Sequence, residues 1–408
     1  MLVIHTGDFH LGESKHGPID PATGMSKRID DFFSAFDQIV DYAEKNKADL
    51  FLLCGDTFKD PVPNPTIMKR FASRLARLSN AAIRTVIIGG NHDAPRAGRA
   101  APPEPFIELK TPNVYFYSNP DFLDLDTRSG EKVRLFIIPF RNPVRLASDI
   151  RKGKTGLDRE VLVKAFREEI EREIEIFTQA GKKKSDVAIL MSHLAVEGAQ
   201  AGSEKIWQTG EEFSVLPSTF DTEIFDYVAL AHIHKHQVIN SKIPIVYPGS
   251  IERVDLGEAK EDKGFISIKA KKASVEWKFI KLSTRPMHNL QVDCRGVKDP
   301  VASVKEHLEN KPVEGSIIRL RIILKDRLSD EKRSQIANLV GNAFWSQLDY
   351  QRSQVEKQVT KGAFGETLGP FEALTKYVKT LKISKDDKDL ALKLGHQVIN
   401  ETTMEVET

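Results

Sequence analysis

The sequence predicts an α/β fold, and three observations predict it. Short apolar runs recur through the first 250 residues, at Leu2-Val3-Ile4, Leu50 to Cys54, Val86 to Ile88, Val187 to Met191 and Tyr227 to Ala231. Between several of them lie stretches whose apolar residues repeat with helical spacing. The runs end on small residues that hand over to Asp, Asn or His. A short apolar run bounded by glycine is what a strand covered on both faces requires, and ligands in such sheets gather beyond the carboxyl ends of the strands.

At 408 residues the chain exceeds one ordinary domain, so two or three are expected. The net charge of +2 gives no basic whole, and a nucleic-acid partner would have to be met by local basic patches. Cys54 and Cys294 are the only cysteines and lie far apart, which argues against a disulfide framework or a thiolate zinc site. Any metal would need His, Asp and Asn ligands. No apolar run approaches the ~20 residues that span a bilayer. The N-terminus enters a strand-like Leu2-Val3-Ile4 without a signal peptide, so a cytoplasmic protein with no membrane partner is expected.

Leu2-Val3-Ile4 leads to Asp8-Phe9-His10-Leu11-Gly12, where Asp8 and His10, two apart in an extended chain, point to one side. An isolated Asp-x-His is more often a surface turn. The loop from Glu13 to Arg28 is long and carries Lys15, His16, Lys27 and Arg28. Ile29, Phe32, Phe33, Phe36, Ile39 and Val40 predict an amphipathic helix over Ile29 to Ala43. Leu50 to Cys54 is the next strand and ends on Gly55-Asp56. Pro61, Pro63 and Pro65 open a helix from about Thr66 to Leu78, and the strand Ile83 to Ile88 then delivers Gly89-Gly90-Asn91-His92-Asp93. Val114 to Tyr117 and Val133 to Pro139 read as strands of a second sheet. The charges of a helix over about Leu157 to Gln179 read as a solvated face. Asp186 to Ser192 is a buried strand ending on His193, and Phe225 to Ala231 ends on His232-Ile233-His234.

A single polar strand end is ordinary. Five that all supply Asp, Asn or His are hard to explain by packing, because polar groups buried without partners are costly and these would converge on one face. Asp8, His10, Asp56, Asn91, His193, His232 and His234 form an oxygen and nitrogen ligand set without thiolate. Such a set suits two divalent first-row ions, Mn²⁺ before Mg²⁺, because imidazole is too soft for magnesium. Asp56 can bridge, and His92 stands beside a ligand, placed to neutralise a leaving-group oxygen or donate a proton.

Beyond Val246 to Arg253, the alternating Phe265 to Lys269 and Val275 to Ile280 predict a hairpin in a half-exposed sheet. Thr284-Arg285-Pro286 marks a domain exit. Leu290 to Val292, a helix about Val301 to Leu308, the strand Ile317 to Leu324 and a helix about Asp330 to Val340 make a small α+β domain. Residues 351–369 read as linker, and residues 370–408 as two amphipathic helices. Phe371, Leu374, Tyr377, Val378 and Leu381 mark one face, and Leu390, Leu394 and Val398 mark another. Such short helices suggest a docking module or an extension packed on its own domain.

The polar strand ends resemble the five motifs of the calcineurin-like metallophosphoesterase family, namely Asp8-Phe9-His10, Gly55-Asp56, Gly90-Asn91-His92-Asp93, His193 and His232-Ile233-His234. The resemblance implies a two-sheet sandwich flanked by helices. It places Asp8, His10, Asp56 and His234 on one metal and Asp56, Asn91, His193 and His232 on the other. It also makes His92 the catalytic histidine, with Asp93 orienting it. Within the family, Asp8 to Gly12, Tyr247-Pro248-Gly249-Ser250-Ile251-Glu252-Arg253 and Arg285-Pro286 resemble the SbcD-type (Mre-eleven-type) nucleases. That likeness implies a manganese-dependent DNA nuclease acting at double-strand ends and hairpins, spanning residues 1–284, with a capping domain over residues 285–350. It further implies a homodimer whose C-terminal segment docks the coiled coil of an SbcC-type (Rad-fifty-type) ATPase.

Two departures from that pattern stand out. Lys59 occupies a place where many archaeal members carry a second active-site histidine, and Ala231 replaces the glycine before the His-x-His pair. Candidate DNA contacts are Lys15, His16, Lys27, Arg28, Lys59, Arg141, Arg145 and Arg253, with Arg151, Lys152 and Lys154 nearby; solvated surface is the plain alternative. Two other functions stay open: an esterase for a small phosphodiester or a phosphoprotein, and a subunit that tethers DNA ends.

Overall fold

The computed structural model describes residues 1–93, 101–108, 110–142, 159–200, 213–239, 242–272, 274–352, 370–380 and 384–406. Two six-stranded sheets dominate it. The first contains β1 (Leu2–Thr6), β2 (Leu50–Leu53), β3 (Arg84–Ile88) and β4 (Val114–Tyr117). These four run parallel in sequence order, and β13 (Gly264–Lys271) and β14 (Ser274–Lys281) extend the sheet beyond β1 as an antiparallel hairpin. The second contains β5 (Asp121–Asp126), β6 (Lys132–Ile138), β7 (Val187–His193), β10 (Tyr227–Ala231), β11 (Gln237–Ile239) and β12 (Ile245–Tyr247), in the order β11-β12-β10-β7-β6-β5. Its four central strands are parallel, with antiparallel strands at both edges. The short strands β8 (Ala195–Val196) and β9 (Ser214–Val215) pair separately.

Alternation along the strands builds the core. Val3, Leu50, Leu52, Val86 and Ile88 meet Val133, Leu135, Val187, Ile189, Met191 and Ala229 between the sheets. The residues between them face outward onto helices, so the central strands are apolar on both sides. Helix α1 (Arg28–Lys45) buries Ile29, Phe32, Phe33, Phe36, Ile39 and Val40 against the first sheet, beside α2 (Pro65–Asn80). Each such phenylalanine contributes about 1.5–3 kcal/mol by leaving water. Asn64 caps α2 by accepting from the Thr66 N–H at 2.8 Å, with Pro65 in the first turn, where a missing N–H costs nothing. The short α3 (Glu104–Glu108) precedes β4. On the second sheet, α4 (Arg159–Ala180) buries Phe166, Ile170, Ile174 and Phe177.

Two expectations change. The strand Val114 to Tyr117 joins the first sheet, beside β3, whereas Lys132–Ile138 does belong to the second. The hairpin's first strand is covered on both faces for most of its length, because Phe265 packs on Tyr42 of α1 while Ile266 and Ile268 enter the inter-sheet core.

The chain divides into two compact units, Met1–Ile323 with Leu328–Gln351, and Leu324–Arg327 with Arg352–Thr408. The first unit also holds a three-stranded sheet of β15 (Met287–Asp293), β16 (Ile317–Leu324) and β17 (Trp345–Arg352), with α5 (Pro300–Leu308) and α6 (Asp330–Leu339). Asp299 caps α5 and Ser329 caps α6. Arg285 enters this region by pairing with Asp31 of α1 at 2.6 Å, donating to the Gly315 carbonyl and lying over the Phe344 ring.

The second unit contains α7 (Pro370–Thr380) and α8 (Lys385–Val406). They approach closely at Gly395, where a Cβ would lie 2.5 Å from a Leu374 methyl, and Phe371 meets the His396 ring edge-on. Phe371, Tyr377, Leu390 and Leu394 are exposed, whereas Val378 is buried and Leu374 is taken up against Gly395. Leu381 lies outside the described residues, as does the side chain of Val398. Among the described residues no helix is long and apolar enough to cross a membrane.

Candidate metal centre

The carboxyl ends of β1, β2, β3, β7 and β10 meet at one place. The parallel ladder of β1 and β2 continues past the strands: Asp8 N–H donates to the Gly55 carbonyl at 3.1 Å, His10 N–H to Asp56 at 3.0 Å and Leu11 N–H to Thr57 at 3.0 Å. Within this ladder Asp8, His10 and Asp56 adopt positive φ (51°, 44° and 51°), and His232 reaches 102°. Left-handed backbone at non-glycine residues costs about 1–3 kcal/mol each and persists where surrounding structure over-determines it. Here it turns ligand-type side chains off the strand direction and toward each other. Two glycines let the loops close. A Cβ on Gly90 would lie 2.2 Å from Asp56 Oδ1, and one on Gly55 would lie 2.3 Å from His193 Nδ1.

The functional atoms form two overlapping groups. In one, Asp8, His10 and His234 present ligand atoms within 4.8 Å of one another, and His10 Nε2 lies 2.9 Å from His234 Nε2. In the other, Asn91 Oδ1 lies 3.0 Å from both His193 Nε2 and His232 Nδ1. Asp56 Oδ2 stands between them, 3.7 Å from His10 Nε2 and 3.5 Å from His193 Nε2. All seven residues expected as ligands are therefore brought together, with Asp56 in the shared position.

Neighbouring groups fix the rings. His193 Nδ1 meets the Cys54 carbonyl at 2.8 Å, and His234 Nδ1 meets Glu258 Oε1 at 3.0 Å. Each partner accepts only, so both rings carry a proton on Nδ1 and turn Nε2 inward. The His232 N–H donates to both Asp8 carboxylate oxygens at 3.0 Å.

Burial and carboxylate–imidazole pairing govern the electrostatics of the site. Burial pushes the Asp8 carboxyl up, against the pull of His193 and His234. Burial would also raise Asp56, but His193 and His10 outweigh it and hold that carboxyl well below the usual range. For His193, burial favours the neutral ring, yet Asp56 and Asp8 raise it to about 9. Burial, with His234 alongside, pushes His10 well down. Two buried carboxylates thus draw positive charge into a space where imidazole nitrogens and an amide oxygen face one another. Divalent cations fit this donor set of carboxylate, amide oxygen and imidazole.

His92 sits half-buried at the rim. Its N–H donates to Asp56 Oδ1 at 2.8 Å, its Nδ1 meets the Lys59 carbonyl at 2.8 Å, and its ring lies edge-on to His10 at 4.8 Å. Asp93 does not orient this ring directly. Its buried carboxylate accepts from the N–H groups of Thr57 at 2.8 Å and Phe58 at 3.0 Å, and from Gly90 at 3.4 Å. The segment it anchors leads to Lys59, whose carbonyl meets His92 Nδ1.

The basic candidates separate by burial. Lys15 and Lys27 are exposed, and Lys59 is about one-quarter exposed, 3.4 Å from the buried Glu13. Arg28 is not available to DNA: it is 1% exposed and pairs with Asp31 at 2.6 Å and Glu252 at 3.3 Å. Arg253 is likewise spent on Thr284 Oγ1 and the carbonyls of Arg285 and Glu261. His16 packs its ring on Trp345 at 4.8 Å, and Arg141 pairs with Glu169 at 2.8 Å. A charged residue in a loop reads as solvated until its neighbours are known, and here the neighbours are carboxylates and carbonyls. Arg145, Arg151, Lys152 and Lys154 lie outside the described residues.

Several contacts had no sequence signal. The carbonyls of Cys54 and Lys59 act through the backbone, which any residue supplies. Glu258 and Lys263, both fully buried beside His234, lie beyond the polar strand ends.

Comparison with known proteins places these observations. A family model described as calcineurin-like phosphoesterase matches residues 1–236. The chain is 23% identical over 346 residues to the DNA double-strand break repair protein Mre11 of Aeropyrum pernix, covering 81% of this chain and 76% of that protein. It is 24% identical over 324 residues to the SbcD component of the SbcCD nuclease of Staphylococcus saprophyticus, covering 77% of this chain and 76% of the relative. A third relative is the uncharacterized metallophosphoesterase YhaO of Bacillus subtilis, 23% identical over 333 residues, 80% of this chain and 72% of that one.

Proposed function

The chain belongs to the calcineurin-like phosphoesterase family, a metal-dependent phosphodiesterase, and from that membership we propose that it is a manganese-dependent DNA nuclease. One observation carries the chemistry: Asp56 Oδ2 lies between His10 and His193, shared by two groups of ligand atoms. On this reading Asp8, His10, Asp56 and His234 hold one divalent cation, and Asp56, Asn91, His193 and His232 hold the other. Two such ions, when bound, neutralise phosphoryl oxygens and lower the pKa of an attacking water. The imidazole-rich donor set favours Mn²⁺ over Mg²⁺.

The remaining steps fall to the chain. With Nδ1 donating to the Lys59 carbonyl, the imidazolium form of His92 has its Nε2–H left to donate to the departing oxygen and neutralise it. Asp93 keeps the loop that carries Lys59 in place. Lys15, Lys27 and Lys59 supply phosphate contacts, which are independent of sequence and weaken with salt.

DNA as substrate is supported by the names of the Mre11 and SbcCD relatives and by the chain beyond the family match. We assign double-strand ends and hairpins as targets, and residues 285–350 as a cap over the nucleic acid. The α7 and α8 unit, with Phe371, Tyr377, Leu390 and Leu394 exposed, is the docking segment for an SbcC-type (Rad-fifty-type) ATPase, in an assembly built on a homodimer. A full ligand set weighs against a purely tethering role. The YhaO relative is named only as a metallophosphoesterase, which is compatible with an esterase for a small phosphodiester or a phosphoprotein as the second reading. The deciding experiment incubates the purified chain and Mn²⁺ with linear duplex, hairpin DNA and a small phosphodiester. Cleavage of the DNA substrates is expected; turnover of the small diester alone would overturn the reading.

A further inference from the structure

The polar strand ends account for the ligand atoms but not for a second, fully buried charge cluster behind them. Glu258 and Lys263 are each 0% exposed. Glu258 Oε1 lies 3.0 Å from His234 Nδ1, and Oε2 lies 2.6 Å from Lys263 Nζ. The same oxygen accepts from the Val254 N–H at 3.1 Å and lies 3.3 Å from Ser250 Oγ. Lys263 Nζ closes the ring by donating to the backbone carbonyl of His234 at 2.9 Å, and it also meets Glu261 at 2.9 Å. His234 is thus gripped at its ring by the carboxylate and at its backbone by that carboxylate's own counter-ion.

This arrangement is expensive as packing. Taking a carboxylate and an ammonium out of water costs several kcal/mol per ion, and an apolar pair of like volume would often be neutral or better for stability. The ion pair also sits on a braced turn. Asp255 caps the short 3-10 turn Leu256–Glu258, and Leu256 packs with Met287 and Ile317 of the small sheet. A carboxylate on the outer nitrogen of a metal-ligating imidazole fixes its tautomer and raises its basicity.

We propose that Glu258 is a positioning residue for the metal site, holding His234 with Nε2 turned to the cation, and that Lys263 holds Glu258 in place. The proposal rests on the reading of Asp8, His10, Asp56 and His234 as a cation site. Losing such an outer carboxylate lowers metal affinity by about 10–100-fold. The second cation site, at Asn91, His193 and His232, is oriented from elsewhere, with His193 held by the Cys54 carbonyl, and serves as an internal control.

The test is Mn²⁺ binding by equilibrium dialysis on the full chain, with thermal melting of the metal-free protein as the check on folding. Glu258→Met with Lys263→Met removes both charges together with the acceptor for Nδ1 and avoids an uncompensated buried ion; Glu258→Gln alone keeps an acceptor for Nδ1 and should restore most of the affinity. In the double variant one of two Mn²⁺ equivalents is expected to bind about 10–100-fold more weakly, the other unchanged. Both equivalents at wild-type affinity in a folded double variant would overturn the proposal, and so would equal weakening of both. Failure of the wild-type chain to bind two Mn²⁺ would instead overturn the cation reading itself.

Discussion

Replacing Asp93 by alanine tests how the site holds its rim histidine. The carboxylate is fully buried and satisfies two backbone N–H groups at 2.8 and 3.0 Å, with a longer contact to Gly90 at 3.4 Å. Each buried donor left without a partner costs about 1–3 kcal/mol, so the loss is about 3 kcal/mol. For a unit running Met1–Ile323 with Leu328–Gln351, at about 2 cal/mol/K of unfolding entropy per residue, that lowers Tm by about 4 °C. The larger consequence is kinetic. Thr57 and Phe58 lead directly to Lys59, whose carbonyl is the partner of His92 Nδ1. Release of that loop displaces the ring, and a displacement of about 1 Å costs about 100-fold in rate. Asp93→Ala should therefore lower kcat about 100-fold on a DNA substrate with saturating Mn²⁺, well below its own Tm, with KM little altered. Asp93→Asn keeps one acceptor oxygen and should fall between. A stable Asp93→Ala chain with wild-type kcat would refute the link from Asp93 through Lys59 to His92.

Other perturbations separate the remaining roles. His92→Ala should cut the cleavage rate about 10²–10⁴-fold while Mn²⁺ binding is retained; a wild-type rate would remove His92 from the chemistry. Deleting the residues after Gln351 should spare Mn²⁺-dependent cleavage of simple ends and abolish co-purification with the ATPase partner, and undiminished co-purification would refute the docking role. His5 is buried between Tyr227 Oη and the Leu230 carbonyl, and burial pushes it down to about 3. The unfolded chain takes up that proton near pH 6.5 and the folded chain only near pH 3, so stability is lost as pH falls through this window. The slope is about 1.4 kcal/mol per pH unit. His5→Gln should flatten it by that amount in pH-dependent denaturant unfolding, and an unchanged slope would show that His5 is not the group responsible.

The gathering of Asp, Asn and His at one place was legible because each member follows its strand closely. Gly55-Asp56, Gly90-Asn91-His92 and His232-Ile233-His234 are local signals, and a strand end in a parallel sheet has only one place to go. Glu258 was illegible for the opposite reason. It reaches His234 from 24 positions along the chain, through a three-residue turn whose placement depends on the small sheet. Arg28 and Arg253 differ from expectation because charge in a loop says nothing about burial; the carboxylates that surround Arg28 come from residues 31 and 252. The edge strands β5 and β17 carry no signal in the sequence because their exposed faces are polar, as in Asp121–Asp126 and Trp345–Arg352, so no apolar run announces them.

Ala231 shows how a departure read from one position is resolved at another. Read alone, an alanine before the His-x-His pair is a small change of expected small effect. In the fold its methyl points at Gly7 of the opposing sheet, where a Cβ would lie 2.5 Å away. Real Cβ atoms do not approach so closely, so the methyl is accommodated because position 7 has none. Both residues immediately precede members of the polar cluster, Asp8 on one sheet and His232 on the other, and the His232 N–H donates to the Asp8 carboxylate across this same gap. At the polar cluster the two sheets therefore approach with a glycine facing an alanine. An added methyl at position 7 would push apart the two strands whose ends carry Asp8 and His232.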